Sequence, residues 1–350
     1  MQRKLASIQQ VVALKPIEGA DFIEEAQVLG WYVIVKKGEF QVGDLGVFFE
    51  VDSILPVAPW NEFLKGRQRI KTMRMRGVLS QGLLLPLDIL PPDPWRVEYG
   101  TNEAGDNEAI VMPNQEWRID DDVTELLNVL KWEPEVRFGG GAGQGLPFPP
   151  LVPKTDEMRV QTVPGVLEEL RYLPYVATVK LDGTSFTAIH DGEQLIVCSR
   201  NYSLKKELGG AHWDMAIQLE LEEKLKAYPG IAIQGELCGP GIQKNRLHLR
   251  QNELYIFNVY NTKHGKYFSH PYAKAFVADL GLQFVPTAFE GEEFDYTLET
   301  ILEAAKGNYD SGLRREGIVI RPLKERHSGV LRGRLSFKAI NNDWLLKDED

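Results

Sequence analysis

The stretch Arg137–Pro153, RFGGGAGQGLPFPPLVP, most constrains how this chain can fold. Glycines that lose the most entropy on ordering are followed by prolines that donate no backbone hydrogen bond, so neither a helix nor a central strand can run through it. It reads as a linker over residues 131–153, with a boundary near residue 148. It lacks the Lys-Ser/Thr ending of a phosphate-binding loop and runs straight into proline. The 350 residues are therefore expected to form two units, 1–130 and 154–350, each long enough to bury a core of its own. Two cysteines, Cys198 and Cys238, are too few for a disulfide framework or a cysteine-rich zinc site, and both read as buried thiols. No run approaches the ~20 apolar residues of a membrane span. The N-terminus lacks the apolar core and cleavage site of a signal peptide, so a cytoplasmic protein is expected.

The N-terminal part reads as β-rich. LASIQQVVAL, AQVLGWYVIV, DLGVFFEV and SQGLLLPL are short β-branched or aromatic runs separated by turn residues, the spacing of a small barrel. The acidic stretch from Glu103 to Glu125 reads as loop with a short helix starting near Asp121 or Asp122. A net charge of −10 speaks against a nucleic-acid partner only weakly, because a local basic groove suffices to bind phosphate. KGRQRIKTMRMR supplies such a patch: Lys65, Arg67, Arg69, Lys71, Arg74 and Arg76, with no acidic residue between Glu62 and Asp88. A solvated charged loop is the plainer reading of that run; in so acidic a chain, phosphate contact is the sharper one.

After Pro153 strands and helices alternate, which predicts a mixed α+β unit with largely antiparallel sheets. Trp213, Ile217, Leu221 and Leu225, four residues apart with charges between them, predict one amphipathic helix. One ordered series stands out. Lys180-Leu181-Asp182-Gly183 ends a strand in a tight turn. Ser199-Arg200-Asn201, Gly235-Glu236-Leu237, Phe257 in YIFNVY, Glu316-Gly317-Ile318-Val319-Ile320 and Ser336-Phe337-Lys338 follow in that order. A K-x-D-G alone occurs by chance in roughly one chain in ten of this size. The order of the whole series makes it informative. His190 and His327 have no partner pattern.

These segments resemble the motifs of the covalent nucleotidyltransferases, the superfamily of ATP-dependent polynucleotide ligases and capping enzymes. More narrowly, with Lys154-Thr155-Asp156-Glu157-Met158-Arg159-Val160-Gln161 upstream of the lysine, the chain resembles the Deinococcus- and Naegleria-type RNA ligases. The resemblance covers residues 154–340. It implies an N-terminal OB-like β-barrel followed by an antiparallel-sheet adenylylation domain. It also implies an ATP-dependent RNA ligase working through lysyl-AMP and an AMP-capped polynucleotide. Lys180 matches the nucleophile, Arg200 the following basic motif, Phe257 the adenine-stacking position, and Glu316 and Lys338 the last two motifs. Arg159, Val179, Lys180, Arg200, Glu236, Phe257, Glu316 and Lys338 would then bind ATP. Asp182, Glu236 and Glu316 would hold a hydrated Mg2+ or Mn2+, and Arg67, Arg69, Arg74 and Arg76 would grip RNA, as a nicked duplex or an RNA–DNA hybrid. The chain departs from the pattern at Ser336, where many ligases carry a lysine, so that lysine's role does not transfer. A monomer is the expected state.

The chemistry is consistent with the residues. A phosphate monoester is a poor electrophile until activated, and a lysine amine can carry AMP. A lysine must be neutral to attack, against an ordinary pKa of ~10.4, so neighbouring cations such as Lys338 and a divalent metal, with desolvation, are needed. Without the resemblance, Phe257 reads as core and Glu236 as solvated. DNA ligases and guanylyltransferases place a barrel after the last motif. Only twelve residues follow Lys338 here, which favours the RNA ligase branch. A nucleic-acid-binding protein with a decayed ligase fold would not be expected to keep Lys180, Asp182, Glu236, Glu316 and Lys338 together.

Overall fold

In the computed structural model the residues described are 3–91, 96–101, 107–112, 117–132 and 146–347. The backbone divides into two compact units, residues 2–134 and 135–350. Much of the glycine-rich run lies outside the described residues.

In the first unit, five strands pair in the order Trp31–Lys36, Ile23–Val28, Ala6–Pro16, Leu45–Phe49 and Leu83–Pro86, all antiparallel. The run AQVLGWYVIV is a hairpin rather than one strand. Leu29 takes a left-handed conformation (φ 53°) and turns the chain back on itself. A register shift between Val11 and Ala13 bends the long first strand so that it serves two sheets, as a β-bulge does where a sheet curls. Two cores result. One gathers Ile8, Val47, Phe49, Leu55 and Leu127; the other gathers Val28, Trp31, Val33, Phe48 and Leu84. The short helix expected near Asp121 is a turn over residues 124–128. Part of the acidic stretch is a strand, since Arg96–Thr101 and Asn107–Met112 pair antiparallel.

The second unit has two sheets. The larger has eight strands, running Leu146–Pro147, Tyr202–Leu204, Leu195–Cys198, Thr184–His190, Ile231–Cys238, Glu253–Asn261 and Lys266–Tyr267, with Gln283–Phe284 also on Glu253–Asn261. The smaller runs Met158–Arg159, Phe337–Ile340, Gly317–Pro322, Tyr175–Lys180 and Thr287–Gly291. Alternation sorts each sheet's side chains by face. Phe186, Ala188, Ile233, Leu237 and Ile256 pack with Trp213, Leu221, Leu225 and Val277 in one core. Tyr175, Ala177, Ile318, Ile320, Phe337 and Ala339 pack with Leu170, Phe294 and Ile301 in another. The remaining faces carry Thr178, Lys180, Val319, Arg321 and Lys338 on one sheet and Thr187, Gln234 and Glu236 on the other. They meet at a polar seam, where Arg321 donates to the Phe257 carbonyl at 3.2 Å and Arg334 to Asn258 Oδ1 at 2.7 Å.

The single helix expected over Trp213–Leu225 is two, Ala211–Gln218 and Leu221–Lys226, broken at Glu220 (φ 54°). Residues spaced by four drift about 40° per step around a helix of 3.6 residues per turn. Ile217 is left exposed while Trp213, Leu221 and Leu225 are buried. No described helix is long and apolar enough to cross a membrane.

Candidate active site

Lys180 ends the strand Tyr175–Lys180, opposite Gly317 at the start of Gly317–Pro322, which in turn lies opposite Ile340. One register step further in, Lys338 lies opposite both Val319 and Arg159. Lys180, Lys338 and Arg159 thus share one face of the sheet. Two close approaches need glycine. A Cβ on Gly183 would lie 2.5 Å from the Leu237 carbonyl and 2.7 Å from Cys238 Sγ, so the K-L-D-G turn can press against the G-E-L strand only without a side chain. Gly317, at φ 154°, would place a Cβ 2.2 Å from the Ala339 carbonyl.

Lys180 Nζ donates to Glu316 Oε2 at 2.6 Å. Burial works against its charge, but Glu316, Glu236 and Asp182 outweigh burial and hold the ammonium above the ordinary lysine value. Glu236 is pushed up to about 7 by burial, with Glu316 and Asp182 adding; Lys180 and the Gly183 amide oppose the rise. Lys338 is brought down to about 7 by burial and by repulsion from Lys180 and Arg159. Three carboxylates thus surround one lysine, with a second, weakly basic lysine beside it. Among the described residues no three His, Cys, Asp or Glu side chains are close enough to ligate a metal ion together directly. Asp182, Glu236 and Glu316 offer carboxylate oxygens, the donor type that suits a hard cation such as Mg2+.

Arg200 is ion-paired with Asp156 of the upstream element at 2.6 Å, so two sequence motifs converge there. Phe257 is half-buried and packs, as Val179 and Tyr255 do, against the cluster of Leu181, Cys238, Val285 and Tyr309. Ser336, where the pattern has lysine, is buried and accepts from Arg321 Nε at 2.8 Å. It also bonds Glu157 Oε1 at 2.7 Å, and Arg321 bonds that same oxygen at 3.1 Å. The first position of that motif thus holds a buried cation, Arg321, from the neighbouring strand. Cys198 and Cys238 are free and buried, and burial pushes both thiols up, Cys198 to about 12.

Two contacts had no signal in the sequence. The Tyr309 hydroxyl donates to the Lys180 carbonyl at 2.9 Å and accepts from the Glu316 amide at 3.0 Å. It joins the backbones of the two residues whose side chains also touch. Arg246 Nε lies 3.3 Å from Asp182 Oδ2. Neither residue lies within a recognisable motif.

In the first unit, the basic cluster is not uncompensated as its sequence suggests. Arg69 pairs with Asp52 at 2.7 Å and stacks on Trp132, its guanidinium carbon 3.3 Å from the ring centre. Arg74 and Arg76 are exposed on and beside the hairpin Thr72–Met75/Val78–Gln81, donating to the carbonyls of Gly77 and Gly19. Arg67 and Lys71 are exposed.

Comparison with known proteins bears on the family and the fold. A family model described as an OB-fold domain matches residues 5–87, and one described as RNA ligase matches residues 173–340. No curated protein matches the chain. Solved structures of a Naegleria gruberi RNA ligase are similar along nearly its whole length. A mutant with AMP and Mn is 33% identical with a TM-score of 0.84, over 98% of this chain and 98% of that one. The enzyme with PPi is 33% identical with a TM-score of 0.83, again over 98% of each chain. Another mutant, with ATP and Mn, is 34% identical with a TM-score of 0.85, over 99% of this chain and 100% of that one.

Proposed function

The chain belongs to the RNA ligase family, and from that premise we propose that it seals RNA by joining a 3′-OH to a 5′-phosphate at the expense of ATP. The observation that carries the reading is Lys180 held 2.6 Å from Glu316 amid Asp182 and Glu236, with Lys338 one register step away. In the first step the Lys180 amine, having lost its proton, attacks the α-phosphorus of ATP. An N–P bond forms, the P–O bond to the outgoing pyrophosphate breaks, and lysyl-AMP results. In the second, the 5′-phosphate of RNA takes the AMP and the lysine regains a proton. In the third, the 3′-OH attacks the activated phosphate, AMP leaves, and a phosphodiester remains.

Each residue has a task in these steps. Glu316 fixes Nζ in position. Lys338, made weakly basic by its surroundings, gains a proton and a partner when a phosphate arrives, and Arg159 adds a second cation in the same row. Arg200 contacts phosphate or ribose, and Phe257 with Val179 lines the adenine site. A divalent cation, Mg2+ or Mn2+, held through water by Asp182, Glu236 and Glu316, would supply positive charge that favours a neutral Lys180 and offsets charge on the α-phosphate. The test is α-labelled ATP with divalent metal, without RNA. A covalently labelled band is expected for the wild type and none for Lys180→Ala. That variant should still seal a nick already carrying AMP on its 5′ end. Normal labelling of Lys180→Ala would overturn the reading, and labelling from GTP instead of ATP would point to a capping activity.

A further inference from the structure

Past the open end of the ladder that carries Lys180 lies a hollow of about 220 Å3 lined by Arg246, Asn308, Gly312, Leu313, Arg314 and Trp344. It adjoins the reacting residues on two sides. Arg246 is the ion-pair partner of Asp182. Asn308 and Gly312–Arg314 flank Tyr309, whose hydroxyl bridges Lys180 and Glu316. The hollow keeps its shape because its walls are tied together. Ser311 donates to the Arg246 carbonyl at 2.7 Å, Tyr309 and Leu313 close a tight backbone loop, Arg314 reaches the Asp343 carbonyl at 3.3 Å, and Arg246 lies over the Trp344 ring at 5.4 Å.

The lining has the chemistry of an anion site with an aromatic wall. The Arg314 guanidinium and the Asn308 amide line it beside Arg246, whose charge is shared with Asp182. The Trp344 indole Nε1 is buried with no hydrogen-bond partner among the described residues. A buried N–H left unpaired is destabilising, so an acceptor that reached it would relieve a deficit. Pockets for whole drug-sized ligands run from about 300 Å3 upward. This hollow is smaller and fits one sugar–phosphate unit. The ATP phosphates are already addressed by the row of Lys338 and Arg159, one register step further into the sheet.

We propose that this hollow holds a sugar–phosphate of the RNA strand next to the end being joined, with Arg314 and Arg246 on the phosphate and the Trp344 indole N–H on a phosphate or ribose oxygen. The inference rests on the ligase reading and deepens it. It says where the polynucleotide, as distinct from ATP, is gripped by the catalytic unit.

Arg314→Gln, Arg314→Lys and Trp344→Phe separate the two nucleotide sources. Self-adenylylation from ATP without RNA should proceed at the wild-type rate in all three, which also shows them folded. Sealing of a pre-adenylylated RNA nick should show a KM raised about tenfold in Arg314→Gln and severalfold in Trp344→Phe, with Arg314→Lys near wild type. Loss of one phosphate contact should lower the slope of log KM against log salt by about one in Arg314→Gln. An unchanged KM and salt slope in Arg314→Gln would overturn the proposal. A loss of self-adenylylation with an unchanged KM for RNA would also overturn it, assigning the hollow to ATP. Absence of self-adenylylation in the wild type would instead overturn the ligase reading itself.

Discussion

Tyr309 shows how much a single hydroxyl can position. Its O–H donates to the carbonyl of the nucleophile and its lone pair accepts from the amide of Glu316, both in a buried setting. Tyr309→Phe would leave both backbone groups without their partner, at about 1–3 kcal/mol for each group that stays unsatisfied. The adenylylation rate should fall about 10- to 100-fold with little change in the KM for ATP, because the ring is kept and Tyr309 is not placed against the nucleotide. An equal loss in KM would mean that Tyr309 instead shapes the ATP pocket. The lysine, the three acids and the basic partners are legible in the sequence because each belongs to a short ordered motif. Tyr309 and Arg246 are not, because their importance comes from loops that fold back on the distant K-L-D-G turn, at Lys180 and Asp182. At Ser336 the sequence shows a departure and the fold supplies its meaning. Arg321, buried behind it, brings a cation to that corner.

The helix His270–Asp279 illustrates the element scale. It opens with Pro271 in the first turn, and buries His270, Ala273 and Val277 against the larger sheet. Burial, with repulsion from Arg321, Lys274 and Arg334, pushes the His270 imidazole down to about 4. An unfolded chain takes up this proton below pH ~6.5, whereas the folded chain resists until about pH 4. Stability is therefore lost as pH falls through that window, by on the order of 3 kcal/mol in full. Thermal unfolding between pH 7.5 and 4.5 should show a steeper fall for the wild type than for His270→Gln. Parallel curves would remove His270 as the cause. Strand content was legible from β-branched runs. The hairpin turn at Leu29–Gly30 and the break at Glu220 were not, because each falls inside a stretch whose pattern reads as one element and depends on a left-handed residue that composition does not mark.

At the scale of the molecule, a chain of net charge −10 must still attract a polyanion. Arg67, Arg74 and Arg76 are the exposed arginines of the basic cluster once Arg69 is assigned to Asp52 and Trp132. Replacing those three by Glu should weaken nick binding steeply at low salt and flatten its salt dependence, while labelling of Lys180 by ATP stays unchanged. Wild-type affinity and slope would make the cluster a solvated face. Glycine and proline interrupt every periodic pattern over residues 137–153, which suggests two units in the sequence; the backbone divides at residues 134 and 135. The two facing sheets were not legible, since face assignment depends on which strands pair.

Those two sheets carry a final consequence. Each leaf of the catalytic unit has its own oily backing, while the plane between them is held by polar stitches such as Arg321 to Phe257 and Arg334 to Asn258 and by one small apolar patch around Leu181, Cys238 and Tyr309. A seam of that kind is the natural cleavage plane of the molecule. A nucleotide held by residues of both sheets would act as mortar, so that the substrate to be activated would also cement the walls that activate it.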